Sequence, residues 1–285
     1  MKNTRIFLLS VLCFMALTPI FSQDITEREE IRSTYILKGS EQKRLYLDNM
    51  EGSIDVKGYD GNEIQLIVKK EITAESRGKV QEAKEEVLLD IKEEPNKLLI
   101  YIDAPWRRSD GSMNYRGYEY YGYVVRFDFE LRVPRKMDLY LKTVNEGTLR
   151  VENVEGELQV KNVNEGIEMV NVAGSAKVST VNGPIKVSFT KNPESDCSFA
   201  TVNGKVEVEL QEGLSANLDL RTFNGEVYTD FEFQSMPRKR EFTERKKRGR
   251  RIYSRGDSFS AQIGDGGPWF SFNTLNGDIF IIKQK

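Results

Sequence analysis

The sequence predicts an all-β chain that folds as a β-solenoid, a β-helix-like stack of short coils. Three observations indicate this fold: a recurring corner of Asn and Gly between residues 143 and 225, short apolar–polar–apolar runs between the corners, and a period near 19 residues. A fixed period is the signature of repeat architectures, in which each unit completes its core only by stacking on its neighbours.

Two kinds of corner alternate along this stretch. The first kind reads Thr-apolar-Asn-Gly, sometimes with Glu before the Gly, and a variant begins with Asn162 in place of Thr. Its glycines are Gly147, Gly166, Gly183, Gly204 and Gly225. Their spacings of 19, 17, 21 and 21 residues predict coils of about 17–21 residues. The second kind reads Asn-apolar-x-Gly and falls roughly midway, at 153–156 and 171–174.

The composition of the corners predicts how they are built. Asn-Gly tolerates positive φ and permits a tight turn that other residues resist. The corner Asn side chains can stack as a hydrogen-bonded ladder along the coils. The apolar residue inside each corner is expected to point into the core, and these residues are Val144, Val181, Val202 and Phe223.

An antiparallel β-meander or sandwich is the alternative fold, with the same corners serving as hairpin turns. A turn about every 8–10 residues fits both folds. The alternation of two corner types within one period favours a coil with two sides.

The N-terminus has the pattern of a secretory signal peptide at 1–22. Lys2 and Arg5 precede an apolar run at 6–21, and Ser22 offers a small residue for cleavage. A membrane anchor is the alternative, but the run is short for a span and contains Pro19. The expected mature chain carries 40 basic and 44 acidic residues, a net charge of −4, and no transmembrane segment.

After the signal, we expect a flexible N-terminal segment at 23–40 and a single elongated β-repeat domain at 41–285. Period-2 alternation predicts strands across its first third. Helix-favouring residues predict one short helix near 74–86. The chain ends on an apolar run at 279–282, expected as a buried strand that closes the stack.

Two insertions interrupt the repeat: a Tyr-rich loop at 105–123 and a basic loop at 234–266. Exposed aromatic rings can stack on sugars or a partner protein, and clustered cations can bind a polyanion. The candidate ligand contacts are therefore Trp106, Tyr115, Tyr118, Tyr120, Tyr121, Arg245, Lys246, Lys247, Arg248, Arg250 and Arg251. In the alternative interpretation, the aromatics cover an open end of the core and the basic loop is only solvated.

Catalytic chemistry is disfavoured. The chain contains no histidine, which excludes His-based acid–base catalysis, Ser-His-Asp arrangements and His metal sites. Most acidic residues of the repeat are outward or corner glutamates, as on a solvated face. Cys197, the one cysteine left after cleavage, is expected to be an apolar filler. We predict no catalytic site, no metal and no cofactor.

The signal peptide, the opening from Asn49 to Val56 and the Thr-Val-Asn-Gly corners resemble a bacterial family. It is an exported β-strand-repeat domain of unknown function classed with adhesins, similar to auto-transporter adhesin head domains of Bacteroidetes. The likeness covers about 40–72 and 124–285, and the two insertions depart from it. The resemblance implies a β-solenoid in the periplasm or on the outer cell surface, and supplies no catalytic residues.

The sequence therefore predicts a non-enzymatic exported protein that acts as an adhesin or as a cell-envelope scaffold or binding module. Its expected partner is an envelope glycan, another polyanion or a protein. Nucleic acid is disfavoured because no nucleic-acid-binding fold accompanies the basic residues. The alternatives are a periplasmic sensor linked to envelope signalling and a solenoid polysaccharide-active enzyme.

Overall fold

A computed structural model describes residues 24–108, 121–236, 243–247, 250–254 and 259–284. The side chains of 243–247 and 250–254 lie outside that description. The described residues contain 23 strands and one helix, so the prediction of an all-β chain with one short helix is confirmed.

The first half of the chain contains β1 (Ile25–Tyr35), β2 (Arg44–Asp48), β3 (Ile54–Tyr59), β4 (Ile64–Ala74), α1 (Arg77–Glu86), β5 (Leu88–Glu94), β6 (Lys97–Asp103), β7 (Tyr123–Pro134), β8 (Asp138–Lys142), β9 (Leu149–Glu152) and β10 (Leu158–Lys161). The second half contains β11 (Ile167–Val172), β12 (Ala176–Ser179), β13 (Ile185–Phe189), β14 (Cys197–Asn203), β15 (Val206–Leu210), β16 (Ala216–Asn224), β17 (Val227–Thr229), β18 (Gln234–Ser235), β19 (Thr243–Lys247), β20 (Arg250–Ser254), β21 (Phe259–Ile263), β22 (Trp269–Asn276) and β23 (Ile279–Lys283).

These strands form two long sheets. Sheet A runs β1-β4-β7-β3-β9-β11-β13-β15-β23-β17-β20-β19, and sheet B runs β18-β21-β16-β22-β14-β12-β10-β8-β2-β6-β5. From β8 to β15, successive strands alternate between the sheets, and each pairs in parallel with the strand two places along the chain. An antiparallel meander is therefore not the arrangement of these strands.

We call two consecutive strands, one in each sheet, a rung. The rung β22–β23 lies between β14–β15 and β16–β17 in both sheets. The rung β2–β3 likewise lies between β6–β7 and β8–β9. Two rungs are thus inserted into the stack out of chain order.

This order corrects the prediction that the strand at 279–282 closes the stack. Strand β23 has a parallel neighbour on each side, β15 and β17. Ile279 and Ile281 are fully buried there. Antiparallel strands cover the stack beyond β16–β17 instead: β20 pairs with β17, and β21 pairs with β16.

Strands β1 and β18–β21 lie where loops or flexible segments were expected. Residues 25–35 pair with β4 along their whole length, although their polar composition predicts a flexible segment. An edge strand can be ordered by backbone hydrogen bonds while its polar side chains stay in solvent. The predicted basic loop at 234–266 contains the four antiparallel strands β18–β21, because backbone pairing with the last parallel rung is available there.

The helix α1 confirms the prediction near 74–86. It begins after Ser76, whose side chain accepts a hydrogen bond from the backbone N–H of Lys79. Val80 and Ala83 are its buried residues. These apolar side chains hold the helix on the core.

The corners bury their threonines and expose the apolar residue that follows. The buried threonines, each at most 5% exposed, are Thr143, Thr180, Thr201, Thr222 and Thr274. Val181, Val202 and Phe223 are 38%, 37% and 66% exposed, so the prediction that they point into the core is wrong. Val144 alone of the four predicted residues is buried.

Strand alternation explains the outward apolar residues, because the inward position of these corners falls on the threonine. Its hydroxyl can lie in the core because it is hydrogen-bonded. Thr201 Oγ1, for example, donates to the carbonyl of Gly183 in the neighbouring rung at 3.0 Å. Thr143, Thr274 and Thr222 make the equivalent bond to their neighbouring corners.

The corner asparagines form the predicted ladder. Each Nδ2 donates to the Oδ1 of the neighbouring rung, at distances of 2.5–3.1 Å. In stacking order the ladder comprises Asn145, Asn164, Asn182, Asn203, Asn276 and Asn224. The ladder includes the inserted rung β22–β23, so this rung belongs to the stack as fully as its sequential neighbours.

Glycine in these corners is required by close approach of the backbone. A Cβ at Gly204 would lie 2.1 Å from the carbonyl oxygen of Gly183. The asparagines that open the second kind of corner, Asn153 (φ 58°) and Asn171 (φ 55°), adopt positive φ, as does Glu146 (φ 50°) in a corner of the first kind. The asparagines of the two corner types therefore have different roles: positive φ in the second kind and the ladder in the first.

We predict that Gly204→Ala lowers the free energy of unfolding by about 1–3 kcal/mol, because the added methyl group overlaps a neighbouring backbone. Gly78→Ala is the matched control, since a Cβ there meets nothing closer than 3.8 Å and alanine favours the helix. It should raise the free energy of unfolding by up to about 1 kcal/mol. Urea denaturation measures both, and equal effects of the two substitutions would contradict the explanation.

Candidate ligand-binding site

Three tyrosines meet on the outer face of sheet B. Tyr46, Tyr101 and Tyr140 each lie between two inward apolar residues, so strand alternation turns their rings away from the core. They come from β2, β6 and β8, which are far apart along the chain. Insertion of β2 between β6 and β8 brings them together.

Tyr46 and Tyr140 form a stacked pair. They are direct partners in the parallel pairing of β2 with β8. Their ring centroids are 4.3 Å apart and their planes differ by 6°. The pair gives the outer face a rigid aromatic surface, since each ring restricts the rotamers of the other.

Tyr101 is held by charged neighbours. The guanidinium of Arg107 lies 4.9 Å from the centre of its ring, and the Lys92 ammonium lies at the same distance. Its hydroxyl donates to Asp90, and this bond lowers the pKa of that carboxyl. The ring is therefore fixed on the sheet.

Arg107 is itself held in place by three contacts. Its Nη2 donates to Asp48 Oδ2 at 3.0 Å, and its Nη1 donates to the carbonyl of Ile102 at 3.4 Å. The third contact is the ring of Tyr101. The Arg107 side chain is 13% exposed. Its main role is therefore to fix Asp48 and Tyr101, and little of its charge is available to a ligand.

These residues line an open cavity of about 290 Å³. The outward side chains form two rows across β6, β2, β8 and β10: Tyr101, Asp48, Lys142 and Lys161 in one, Leu99, Tyr46, Tyr140 and Gln159 in the other. Leu47, Ile100 and Leu141 complete the lining together with Arg107. A one-ring ligand fits this size.

The charge of the cavity is positive. Its lining has one carboxylate, Asp48, against the cations Arg107, Lys142 and Lys161. Lys142 Nζ lies 3.3 Å from Asp48 Oδ1, so this carboxylate is shared by two cations. Lys161 is exposed and forms no ion pair with any residue that the structure describes. It is the cation left available to a ligand.

The Tyr140 hydroxyl is hydrogen-bonded within the protein. Burial, followed by the nearby Glu157 carboxylate, raises the pKa of Tyr140 to about 12. Its hydroxyl donates to Glu157 at 3.2 Å. The phenol therefore stays protonated at neutral pH, and the site keeps an uncharged aromatic surface.

The residues predicted as ligand contacts lie elsewhere. Trp106 is 4% exposed and packs on Tyr121 and Tyr123, with centroids 5.2 and 6.2 Å away, so its ring has no open face. Tyr121 is half-buried beside it. The predicted contacts that lie outside the described residues are Tyr115, Tyr118, Tyr120 and Arg248.

The other basic residues of the prediction lie on a hairpin at the end of sheet A. Strand β19 carries Arg245, Lys246 and Lys247, which pair with Ile252, Arg251 and Arg250 of β20. Only their backbone positions are described. Their role in binding remains a prediction.

A second perturbed group, Glu51, lies at the end of the asparagine ladder. It is 6% exposed and takes the corner position that Asn145 has in the next rung. Burial, partly offset by a hydrogen bond from Asn145, raises the pKa of Glu51 from 4.5 to about 7. Its position inside a corner indicates a structural group, although perturbed carboxyls often mark functional sites.

Neither a metal cluster nor a membrane-spanning helix is found in the described ranges. No three Cys, Asp or Glu side chains there come together as metal ligands. The helix α1 has ten residues, and no described helix has the length and apolar character needed to cross a bilayer.

Residues 131–261 match the family model described as Toastrack DUF4097. This segment is similar to a Toastrack domain. Tyr140, Lys142 and Lys161 lie inside the matched segment, whereas Tyr46 and Tyr101 precede it. The cavity is thus formed where earlier strands join the segment that matches the family model.

Three solved structures of bacterial proteins match most of the chain at low identity. One is a "putative cell adhesion protein" from Clostridium sporogenes, with 12% identity, TM-score 0.40, and 90% of this chain and 100% of that chain covered. Another is a "putative adhesin" from Bacteroides fragilis, with 10% identity, TM-score 0.37, and 90% and 97% covered. A "putative lipid binding protein" from Parabacteroides distasonis has 10% identity, TM-score 0.30, and 91% and 97% covered. No curated protein matches the chain.

The tyrosine cavity was missed because sequence reasoning treated outward strand residues as solvated. One signal was present. The motifs Leu45-Tyr46-Leu47, Ile100-Tyr101-Ile102 and Leu139-Tyr140-Leu141 each place an aromatic ring on the outer face. Their adjacency, however, depends on the out-of-order rung, and no spacing in the sequence indicates that order.

We predict that Glu51→Gln removes a pH dependence of stability. The raised pKa means that the folded state holds this proton more tightly than the unfolded state. The free energy of unfolding should therefore fall by about 3 kcal/mol as pH rises from 4.5 to 7, and stay level above it. Glu51→Gln should be the more stable protein at pH 8, by urea denaturation.

Glu165→Gln is the matched control, because Glu165 is an exposed corner residue of a neighbouring rung. Its stability should follow the same pH curve as the wild type. A Glu51→Gln variant with an unchanged difference between pH 5 and pH 8 would show that Glu51 is not the titrating group.

Proposed function

We propose that this chain is an exported, non-enzymatic β-repeat module that serves as an adhesin or as a cell-envelope scaffold and binds a glycan in the tyrosine cavity. The observation that carries the proposal is the rigid aromatic surface of Tyr46, Tyr101 and Tyr140 over an open, one-ring cavity. Sugar rings have apolar C–H faces that stack on such surfaces, and their hydroxyls bond polar groups at the edge.

The repeat supports the scaffold part of the proposal. Parallel rungs joined by the threonine and asparagine bonds form a solenoid-like stack with two sheet faces. A face of this kind presents side chains in rows with fixed spacing, which suits an extended polymer. The export signal expected at 1–22 supports a location in the periplasm or on the outer cell surface.

The polysaccharide-active enzyme is less well supported. Most glycoside hydrolases use two carboxyl groups about 5–10 Å apart across the scissile bond. The described lining of the cavity offers only Asp48, which two cations already neutralise. A single paired carboxylate supports binding better than hydrolysis.

We predict that Tyr140→Ala weakens the binding of an envelope glycan at least tenfold, about 1.4 kcal/mol, because one face of the aromatic surface is lost. Binding is measured by titration calorimetry with the glycan selected on an array of bacterial envelope polysaccharides. Tyr228→Ala is the matched control, since Tyr228 stacks on Phe280 on sheet A with centroids 4.7 Å apart and planes 6° apart.

Equal binding by wild type and Tyr140→Ala, with both folded by circular dichroism, would contradict the proposed site. Release of new reducing ends or unsaturated products from the bound glycan would contradict the non-enzymatic function. A stable complex with a membrane regulator and no glycan binding would favour the periplasmic sensor.

A further inference from the structure

We propose that the tyrosine cavity selects an anionic sugar ring, such as a uronic acid unit of an acidic glycan, and that Lys161 binds its charged substituent. This inference rests on the proposed function and specifies the ligand class of the same site. It follows from the size of the cavity, its two rows of side chains and the unequal distribution of its charges.

The dimensions favour a single sugar ring. The cavity has a volume of about 290 Å³ and opens on the outer face, so the rest of a polymer can extend beyond it. Neighbouring strands lie about 4.8 Å apart, so the four strands that carry the rows span about 14 Å. One pyranose ring with its substituents covers the central strands β2 and β8.

The aromatic row and the charged row have separate roles. Tyr46 and Tyr140 stack on each other with centroids 4.3 Å apart, so their edges and outer faces are what they offer to the apolar face of a sugar ring. The charged row passes from Asp48 on β2 to Lys142 on β8 and Lys161 on β10. A ring lying on the tyrosines therefore has its substituents beside the lysines.

The cations of the row are not equivalent. Arg107 is committed to Asp48, to the Ile102 carbonyl and to the Tyr101 ring. Lys142 shares Asp48 with it at 3.3 Å. Lys161 has no ion-pair partner among the described residues and is exposed. An anionic substituent gains most from Lys161, because no existing ion pair must be broken.

The net charge of the lining favours the same ligand class. Three cations face one carboxylate in the lining, while Asp90 and Glu157 are bonded to Tyr101 and Tyr140 outside it, so an anionic substituent gains attraction that an uncharged sugar lacks. A carboxylate and a sulfate ester both supply the missing charge. The shared chemistry is a pyranose ring with one anionic group, and the two sources are separated by experiment.

The test uses the full chain and a trimer of galacturonic acid, with its methyl ester as the matched ligand that lacks only the charge. A sulfated galactose trimer forms the third arm. We expect the acid to bind at least tenfold more tightly than the ester at low salt, and the preference to shrink as salt is added. If only the sulfated trimer shows the advantage over neutral sugar, the anionic class stands and the uronic acid example is wrong.

Lys161→Gln should reduce the preference for the acid to less than threefold while the ester binds as before. Lys186→Gln is the matched protein control, because Lys186 is an exposed strand lysine on sheet A, outside the cavity lining. It should leave the preference unchanged. A preference that survives Lys161→Gln would overturn the role of Lys161.

The outcomes separate this inference from the proposed function. Equal binding of acid and ester, both weakened by Tyr140→Ala, overturns the selection of anionic sugars and leaves the glycan site intact. Absence of binding to every glycan overturns both. Tight binding of the acid that Tyr140→Ala does not change places the ligand elsewhere and also overturns both.

Discussion

The contact between one corner and the next sets the register of the whole stack. Three features coincide there: a buried threonine hydroxyl on a neighbouring carbonyl, an asparagine amide on the neighbouring amide, and a glycine that admits the adjacent backbone. A slip of one residue would break all three at every rung, and it would also turn the apolar side chains outward. The short strands need this constraint, because four to seven residues with one inward face specify little by themselves.

Much of the architecture was predictable because it depends on local sequence. The corner spacing predicts short strands that alternate between two sides, and the asparagine ladder follows from stacking identical corners. The inward threonines were not predicted, since composition suggests that Val202 rather than Thr201 belongs in the core. The hydroxyl is tolerated inside because a carbonyl of the adjacent rung lies 3.0 Å away, which the sequence of one corner does not reveal.

The candidate site was less predictable than the scaffold. Tyr46, Tyr101 and Tyr140 are unremarkable outward residues in their own strands. Their meeting depends on long-range pairing of β2 with both β6 and β8. Sequence reasoning instead favoured the two insertions, because their composition is unusual. Trp106 of the Tyr-rich insertion, however, packs against the core. Composition therefore identified the two insertions that interrupt the repeat. The order in which strands pair, which composition does not reveal, determined which tyrosines form the cavity.

The out-of-order rungs also bear on how such a stack can assemble. In a sequential repeat, each unit can dock as soon as it leaves the ribosome, and folding can propagate along the chain. Here β16–β17 acquires its parallel neighbour only after residues 230–268 have been synthesised, when β22–β23 enters the gap beside β14–β15. Closing that gap joins segments distant in the chain, which slows folding through the entropy of loop closure. The last rung in the sequence therefore completes the stack by entering between two earlier rungs. A simple repeat array can gain or lose one repeat without changing the pairing of the others, but this stack cannot do so at that point.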